Sequence, residues 1–151
     1  MAANPGKVFA INIPQGYFAD GTYTTPWGDA LASQAGVSSY PTGTINRFKF
    51  GTYAQSRDQW EQRCEYILTH ASCVNLAARA IVDTTARTMD IQVLGYYTAN
   101  SAADTHLLNV VLLQDNILGY QSNGTLNPSQ VVGNQYRHMH MLRDLLTGQW
   151  G

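Results

Sequence analysis

The hydrophobic period of this chain changes near Ala71 from that of a helix to that of a strand, which limits the folds available to it. Before that point, Ser56 and Gln59 form a capping-box pattern. Apolar residues then recur at helical spacing and predict a helix over residues 56–70: Trp60, Cys64, Ile67 and Leu68. After Ala71, apolar and polar residues alternate, as they do along a half-buried strand.

Three segments of the second half have the pattern of strands. They cover residues 73–83, 88–98 and 105–115, and the third is so continuously apolar that we expect it to be central in its sheet. Tight turns join them, so the pattern predicts an antiparallel meander or sandwich-like region. A fourth strand over 116–121 and a further one over 136–142 would extend this region.

The first half of the chain has the order strand, helix, strand, helix. An apolar run over residues 7–13 predicts a buried strand, and the Gly-rich segment 15–29 predicts a loop. A short helix follows over residues 26–34, with Thr25 as its N-cap and Gly36 just past its end.

The second strand of this half is predicted over residues 42–47, directly after Pro41. Taken together, the elements predict an α+β fold in two parts. Residues 1–70 form an α/β first half, and residues 71–151 form an antiparallel β region.

The composition is that of a folded, weakly charged and exported protein. Hydrophobic residues make up 44% of the chain, enough for a core, whereas charged residues make up only 13%, against about 25% in an average globular protein. The formal net charge is −1 and no run of Lys or Arg occurs. These features argue against a nucleic-acid partner and against binding to an anionic membrane surface.

The two ends of the sequence suggest an internal fragment. The first ten residues lack the layout of a signal peptide, and the predicted strand 7–13 follows at once. No stretch approaches the ~20 apolar residues needed to span a bilayer. We therefore expect any export signal or lipid anchor to lie upstream, and any membrane attachment to be through that anchor.

Cys64 and Cys73 lie nine positions apart, a spacing that fits no zinc motif. In an exported protein they form either a disulfide or two buried free thiols, and the sequence leaves both open.

His138 and His140 would project from the same face of the predicted strand 136–142, about 6.6 Å apart. Such a pair can bind zinc or copper, but a third ligand motif is missing, which favours hydrogen-bonded structural histidines. We predict no metal and no cofactor.

The segment AGVSSYPTGTINR, residues 35–47, resembles the thioredoxin-like fold, in which a Gly-Val-x-x-hydrophobic-Pro-Thr pattern carries a cis proline. The resemblance implies a cis peptide at Pro41 and a truncated β-α-β-α unit that lacks its first strand and helix. In redox members the cysteine pair begins that helix. This chain, which has no C-x-x-C, is therefore expected not to perform thiol–disulfide chemistry alone.

The chain as a whole resembles the twenty-eight-kilodalton outer-membrane protein family of Bacteroidetes. The resemblance is carried by the Trp-bearing helix and by four segments: YPTGTINR (40–47), DIQVLGYYT (90–98), LNVVLLQDNILGYQ (108–121) and YRHMHMLRDLLTGQWG (136–151). It implies a surface-exposed lipoprotein and candidate adhesin or receptor, and a thioredoxin-like protein with an inserted or appended β region.

We accordingly expect a non-enzymatic surface module that binds a host protein or glycan. The alternative is a thiol–disulfide protein whose C-x-x-C lies outside this sequence. Aromatic residues on a Gly-rich loop supply contact area for a partner, although Phe18 and Trp27 folding back onto the core is at least as consistent with the pattern. The predicted binding residues are Tyr17, Phe18, Tyr23, Trp27, Tyr40, Pro41 and Arg47.

Overall fold

The computed structural model describes residues 4–16, 19, 21, 23–103, 105–121 and 126–151. Its described part is α+β, as predicted, with two α-helices and nine strands in four small antiparallel sheets. The chain divides into two compact units. Unit 1 contains residues 1–67 and 107–151, and unit 2 contains residues 68–106.

The helices and strands follow one another in a fixed order. The helices are α1 (Pro26–Ala35) and α2 (Trp60–Leu68), and a 3₁₀ turn at Arg57–Gln59 precedes α2. The strands are β1 (Thr42–Gly43), β2 (Gln55–Ser56), β3 (Val74–Asp83), β4 (Thr88–Tyr97), β5 (Val111–Gln114), β6 (Ile117–Gly119), β7 (Val131–Val132), β8 (Gln135–His138) and β9 (Met141–Leu145). The sheets are β1–β2, β3–β4, β5–β9 and β6–β8–β7.

Helix α1 forms where its capping residues predict it. The Thr25 hydroxyl accepts a hydrogen bond from the Gly28 amide at 3.2 Å, which satisfies one of the free N–H groups of the first turn. Gly36 ends the helix at φ 69°, a left-handed conformation that glycine adopts without steric cost. Residues next to the helix therefore determine where it begins and ends.

Helix α2 also forms, but its predicted capping box does not. Ser56 makes no capping hydrogen bond, and its hydroxyl donates to the Asp58 carboxylate instead. The first turn is consequently a 3₁₀ turn, and the α-helix begins only at Trp60. The indole N–H of Trp60 donates to the carbonyl of Gln55 at 2.9 Å, which joins the helix to β2.

The predicted buried strand over residues 7–13 is wrong. Only Asn12 pairs, through a parallel bridge to Met141, and Phe9 is 82% exposed. The Asn12 amide donates to the His140 carbonyl at 2.8 Å, and the Asn12 carbonyl accepts from the Leu142 amide at 2.9 Å. An apolar segment forms a strand only where another strand pairs with its backbone N–H and C=O groups along its length. Here β9 pairs with the segment only at Asn12.

The predicted strand over residues 42–47 is shortened to β1. Asn46 and Arg47 have φ angles of 50° and 49°, so the chain leaves the extended region and turns. The Phe48 amide closes this turn on the Ile45 carbonyl at 2.9 Å. The peptide between Tyr40 and Pro41 is cis, as predicted.

The predicted meander is also wrong, because its third strand pairs elsewhere. Strands β3 and β4 form a hairpin of ten residue pairs, as their alternation predicts. The apolar run 105–115 gives only β5, which pairs with β9 and not with the hairpin. The central position belongs to β9, since β5 lies on one side of it and Asn12 on the other.

The predicted strand 136–142 divides into β8 and β9. His140 has a φ of 55° and lies in the turn between them, so it does not share a strand face with His138. The buried apolar residues of the described chain are concentrated in β9: Met141, Leu142 and Leu145, with Ile45 from the turn after β1. The core of unit 1 thus surrounds its C-terminal strand.

Cys64 and Cys73 are free thiols, both half-buried. Among the helices that the structure describes, neither has the length and apolar character needed to cross a bilayer.

Leu142→Ala should destabilise the protein by about 2–5 kcal/mol, because it leaves a cavity at a side chain that is 1% exposed. Urea denaturation followed by circular dichroism measures the change. Leu107→Ala, at a leucine that is 65% exposed, is the matched control and should cost less than about 0.5 kcal/mol. Equal losses in the two variants would contradict a core centred on β9.

Candidate functional site

Two of the predicted binding residues pack onto the C-terminal strands. The Tyr23 hydroxyl donates to the Leu118 carbonyl at 3.1 Å, and its ring centroid lies 5.5 Å from that of His138. The Trp27 indole N–H donates to the Asp144 carboxylate at 2.8 Å. The Tyr23 hydroxyl and the Trp27 indole N–H thus both donate hydrogen bonds within unit 1, and both side chains are half-buried.

The other predicted binding residues lie at the surface or outside the described chain. Tyr40, with its ring against Gly16, is 58% exposed. Pro41 and Arg47 are exposed as well. Tyr17 and Phe18 lie outside the described residues. A binding role for all seven remains a prediction.

The two histidines of the HMH motif have separate partners. His138 is buried, its ring lies 5.1 Å from that of Tyr136, and its Nε2 atom is 3.3 Å from the Tyr120 carbonyl. The His140 Nδ1 atom lies 3.1 Å from the Asp115 carboxylate, which also accepts the His140 backbone amide at 2.5 Å. Within the described ranges, no group of three His, Cys, Asp or Glu side chains could hold a metal ion.

One face of the β3–β4 hairpin is a candidate binding surface that was not among the predicted binding residues. The register pairs Val74 with Tyr97 and Val82 with Met89, so the apolar rows of the two strands fall on the same side of the sheet. We call this side the apolar face. Its members are Val74, Leu76, Ala78, Ala80, Val82, Met89, Ile91, Val93, Gly95 and Tyr97.

The apolar face is largely open to solvent. Leu76 is 63% exposed, Val82 is 62% exposed and Tyr97 is 53% exposed. The face carries no charged or amide side chain and is about 30 Å long, at about 3.3 Å per strand residue. The opposite face is mixed, since it carries Arg79 and Asp90 beside Leu94 and Tyr96. The alternation predicted both strands correctly, but it does not say whether the apolar side is covered.

Both ends of the hairpin are held by hydrogen bonds within unit 2. At the turn, the Asp83 carboxylate accepts the amides of Thr85 and Ala86, each at 2.8 Å. At the open end, the Thr98 amide donates to the Cys73 carbonyl at 2.9 Å. The strand pair that carries the apolar face is therefore stabilised by hydrogen bonds at both of its ends.

Comparison with known families shows to which family this chain belongs. The sequence profile of the family described as outer membrane protein Omp28 matches residues 28–151. The chain belongs to the Omp28 family. Membership confirms the resemblance to the twenty-eight-kilodalton outer-membrane protein family and associates the protein with the outer membrane. No curated protein and no solved structure matches the chain at a significant level.

The Omp28 match includes the whole hairpin, together with Tyr40, Pro41 and Arg47. Tyr23 and Trp27 precede the matched segment. The apolar face is therefore part of the region by which the chain is assigned to the Omp28 family.

Gly119→Ala should destabilise the protein by about 1–3 kcal/mol, because a Cβ at this buried glycine would overlap the Tyr23 hydroxyl. In a Tyr23→Ala background the same change should cost less than about 0.5 kcal/mol, since the overlapping ring is gone. Urea denaturation of the four proteins in this double-mutant cycle measures the coupling. Gly21→Ala is the control, because a Cβ there meets no atom within 4 Å. Additive effects would show that Tyr23 does not pack on Gly119.

Proposed function

We propose that this chain is the interaction module of a surface-exposed outer-membrane lipoprotein, an adhesin or receptor that binds a host protein through the apolar face. The observation that carries this proposal is a ten-residue strand pair with one wholly uncharged face open to solvent. Large exposed apolar patches of this kind mark sites of association. Binding there requires no chemical step, so the proposed module is not an enzyme in this role.

The low stability expected of an uncovered hairpin supports binding to a partner. A two-stranded sheet on its own is only marginally stable in water, because neither of its faces is covered. Covering Leu76 and Val82, each more than 60% exposed, would contribute about 1–2 kcal/mol per side chain. A partner seated on the apolar face would therefore gain affinity and stabilise the hairpin at the same time.

The chemistry of the face favours a protein over the other partner classes. Glycans are bound through hydrogen-bonding side chains, whereas this face offers only the Tyr97 hydroxyl among its ten members. Nucleic acid and anionic lipid need a basic cluster, and the net charge of the chain is −1. Surface exposure and a lipid anchor outside this sequence are part of the proposal, supported by the family resemblance and by the low charge content.

The test is binding of the purified protein to cultured epithelial cells, read by flow cytometry. Leu76→Gln together with Val82→Gln should lower the affinity at least about tenfold, since about 1.4 kcal/mol corresponds to a factor of ten. The matched control is Leu94→Gln with Tyr96→Gln. These residues are 69% and 68% exposed on the opposite face, and the control should bind as the unmodified protein does.

Pretreatment of the cells identifies the partner class. Protease treatment should abolish binding, and glycosidase treatment should leave it intact. Loss of binding after glycosidase alone, binding to protein-free phosphatidylcholine vesicles, or an equal loss in both double variants would overturn the proposal.

The alternative proposal is a thioredoxin-like thiol–disulfide protein. It is favoured by the order of a helix, a short hairpin and a second helix in α1, β1, β2 and α2. It is weakened by residues 7–13, which do not form the strand that this fold requires before α1. The two thiols of this chain belong to α2 and to the segment before β3, nine positions apart.

Under the binding proposal, the full-length protein should not accelerate the reduction of insulin by dithiothreitol. Turbidity at 650 nm follows the precipitation of the free insulin chain, with thioredoxin as the positive control and a Cys64→Ser, Cys73→Ser variant for comparison. Catalysed reduction that survives in this variant would establish the thiol–disulfide alternative.

A further inference from the structure

A second site lies in unit 2, in the loop that leaves β4. Strand β4 ends at Tyr97, and the Thr98 amide and hydroxyl donate to the carbonyls of Cys73 and Ser72, at 2.9 and 3.3 Å. His106, which follows in the chain, stacks on the Tyr97 ring, and Ser101 contacts His106. Three side chains that can exchange protons thus lie together at the end of the hairpin.

The three side chains form one hydrogen-bonded series. The Ser101 Oγ atom lies 2.5 Å from His106 Nε2, and the Tyr97 hydroxyl lies 2.7 Å from His106 Nδ1. The Tyr97 and His106 rings are also stacked, with centroids 5.4 Å apart and planes inclined by 27°. The imidazole is therefore held at both nitrogens and along one of its faces.

Two arrangements of protons satisfy these contacts, one for each neutral tautomer of the His106 imidazole. The chemistry proposed below uses the tautomer that carries its proton on Nδ1. With its proton on Nδ1, His106 donates to the Tyr97 oxygen and leaves Nε2 to accept the Ser101 hydroxyl proton. The Ser101 oxygen also accepts the Ala103 amide at 3.0 Å. A serine hydroxyl, a base and a group that orients the base are the parts of an activated nucleophile.

A cavity of about 540 Å³ opens beside this series. It is lined by Tyr97, Ser101 and His106 together with Ala99, Asn100 and Ala103. Its volume lies within the range of small-ligand sites, about 300–1,000 Å³. Asn100, one of the lining residues, has a side-chain amide whose N–H groups are donors of the kind that can stabilise an oxyanion.

We propose that Ser101, His106 and Asn100 form a catalytic site for the hydrolysis of small carboxylic esters, with Tyr97 as a positioning residue. This inference goes beyond the binding function and departs from the expectation that the chain is non-enzymatic. The apolar face would bring the protein to its partner, and the cavity would act on an ester group.

The proposed reaction balances with water as the only co-reactant. The Ser101 oxygen attacks the ester carbonyl, its proton passes to His106 Nε2, and the Asn100 amide stabilises the oxyanion. The C–O bond of the ester breaks, and the leaving alcohol takes the proton from His106. Water then attacks the acyl-serine with His106 again as base, which releases the carboxylic acid and restores the serine hydroxyl.

The first test uses the unmodified protein and a fluorophosphonate probe, which forms a bond between serine Oγ and phosphorus and expels fluoride. Mass spectrometry of the digested protein should place the adduct on Ser101 and leave the exposed Ser38 and Ser39 unmodified. No adduct on Ser101, or equal modification of all three serines, would overturn the proposal whatever the variants show.

The second test measures hydrolysis of p-nitrophenyl acetate. Ser101→Ala should abolish the rate above background, and His106→Gln should lower kcat about 100-fold or more. Tyr97→Phe keeps the stacked ring but removes the hydroxyl, so it should lower kcat about tenfold and leave KM unchanged. A change in KM alone would deny Tyr97 its positioning role, and full activity in Ser101→Ala would overturn the site. Ser38→Ala is the control and should keep the full rate.

Discussion

Strand β9 is the element on which the rest of unit 1 depends. Its backbone is paired on both sides, with β5 along one edge and with Asn12 on the other. Its side chains Met141 and Leu142 are the most deeply buried large residues that the structure describes. The Trp27 indole reaches it through the Asp144 carboxylate. Segments more than a hundred positions apart are therefore held together by a strand of five residues.

In the hairpin of unit 2, the described strands β3 and β4 pair only with each other. Its ten residue pairs contribute through cross-strand contacts, each worth about 0.2–1 kcal/mol, and most of its side chains remain exposed. In a buried strand such as β9, apolar residues stabilise the fold of the chain itself. In β3 and β4 the same residue types are presented outward, and this contrast is the physical basis for assigning association to unit 2 and structural support to unit 1.

The sequence predicts an element well when the residues that determine it lie within a few positions of it. It predicts an element poorly when a partner far away in the sequence determines it. Helix α1 and the hairpin were predicted well, because Thr25, Gly36 and the Asp83 turn act within a few residues. Residues 7–13 and 105–115 were predicted poorly, because their hydrophobicity does not reveal which strand, if any, will pair with them. His140 was misplaced for a related reason, since a left-handed residue within an alternating run leaves no trace in the alternation.

The candidate sites were also only partly predictable from the sequence. Alternation located the apolar rows of both strands but did not show that they are exposed, because a sequence pattern carries no information about exposure. Ser101 and His106 lie five positions apart in a polar loop and match no catalytic motif, so only the return of the loop to β4 brings them together. Tyr97 joins the two sites: it is the last member of the apolar face and its hydroxyl contacts His106. A partner covering that end of the hairpin would therefore lie beside the cavity, and Tyr97 is the residue that the two proposed sites share.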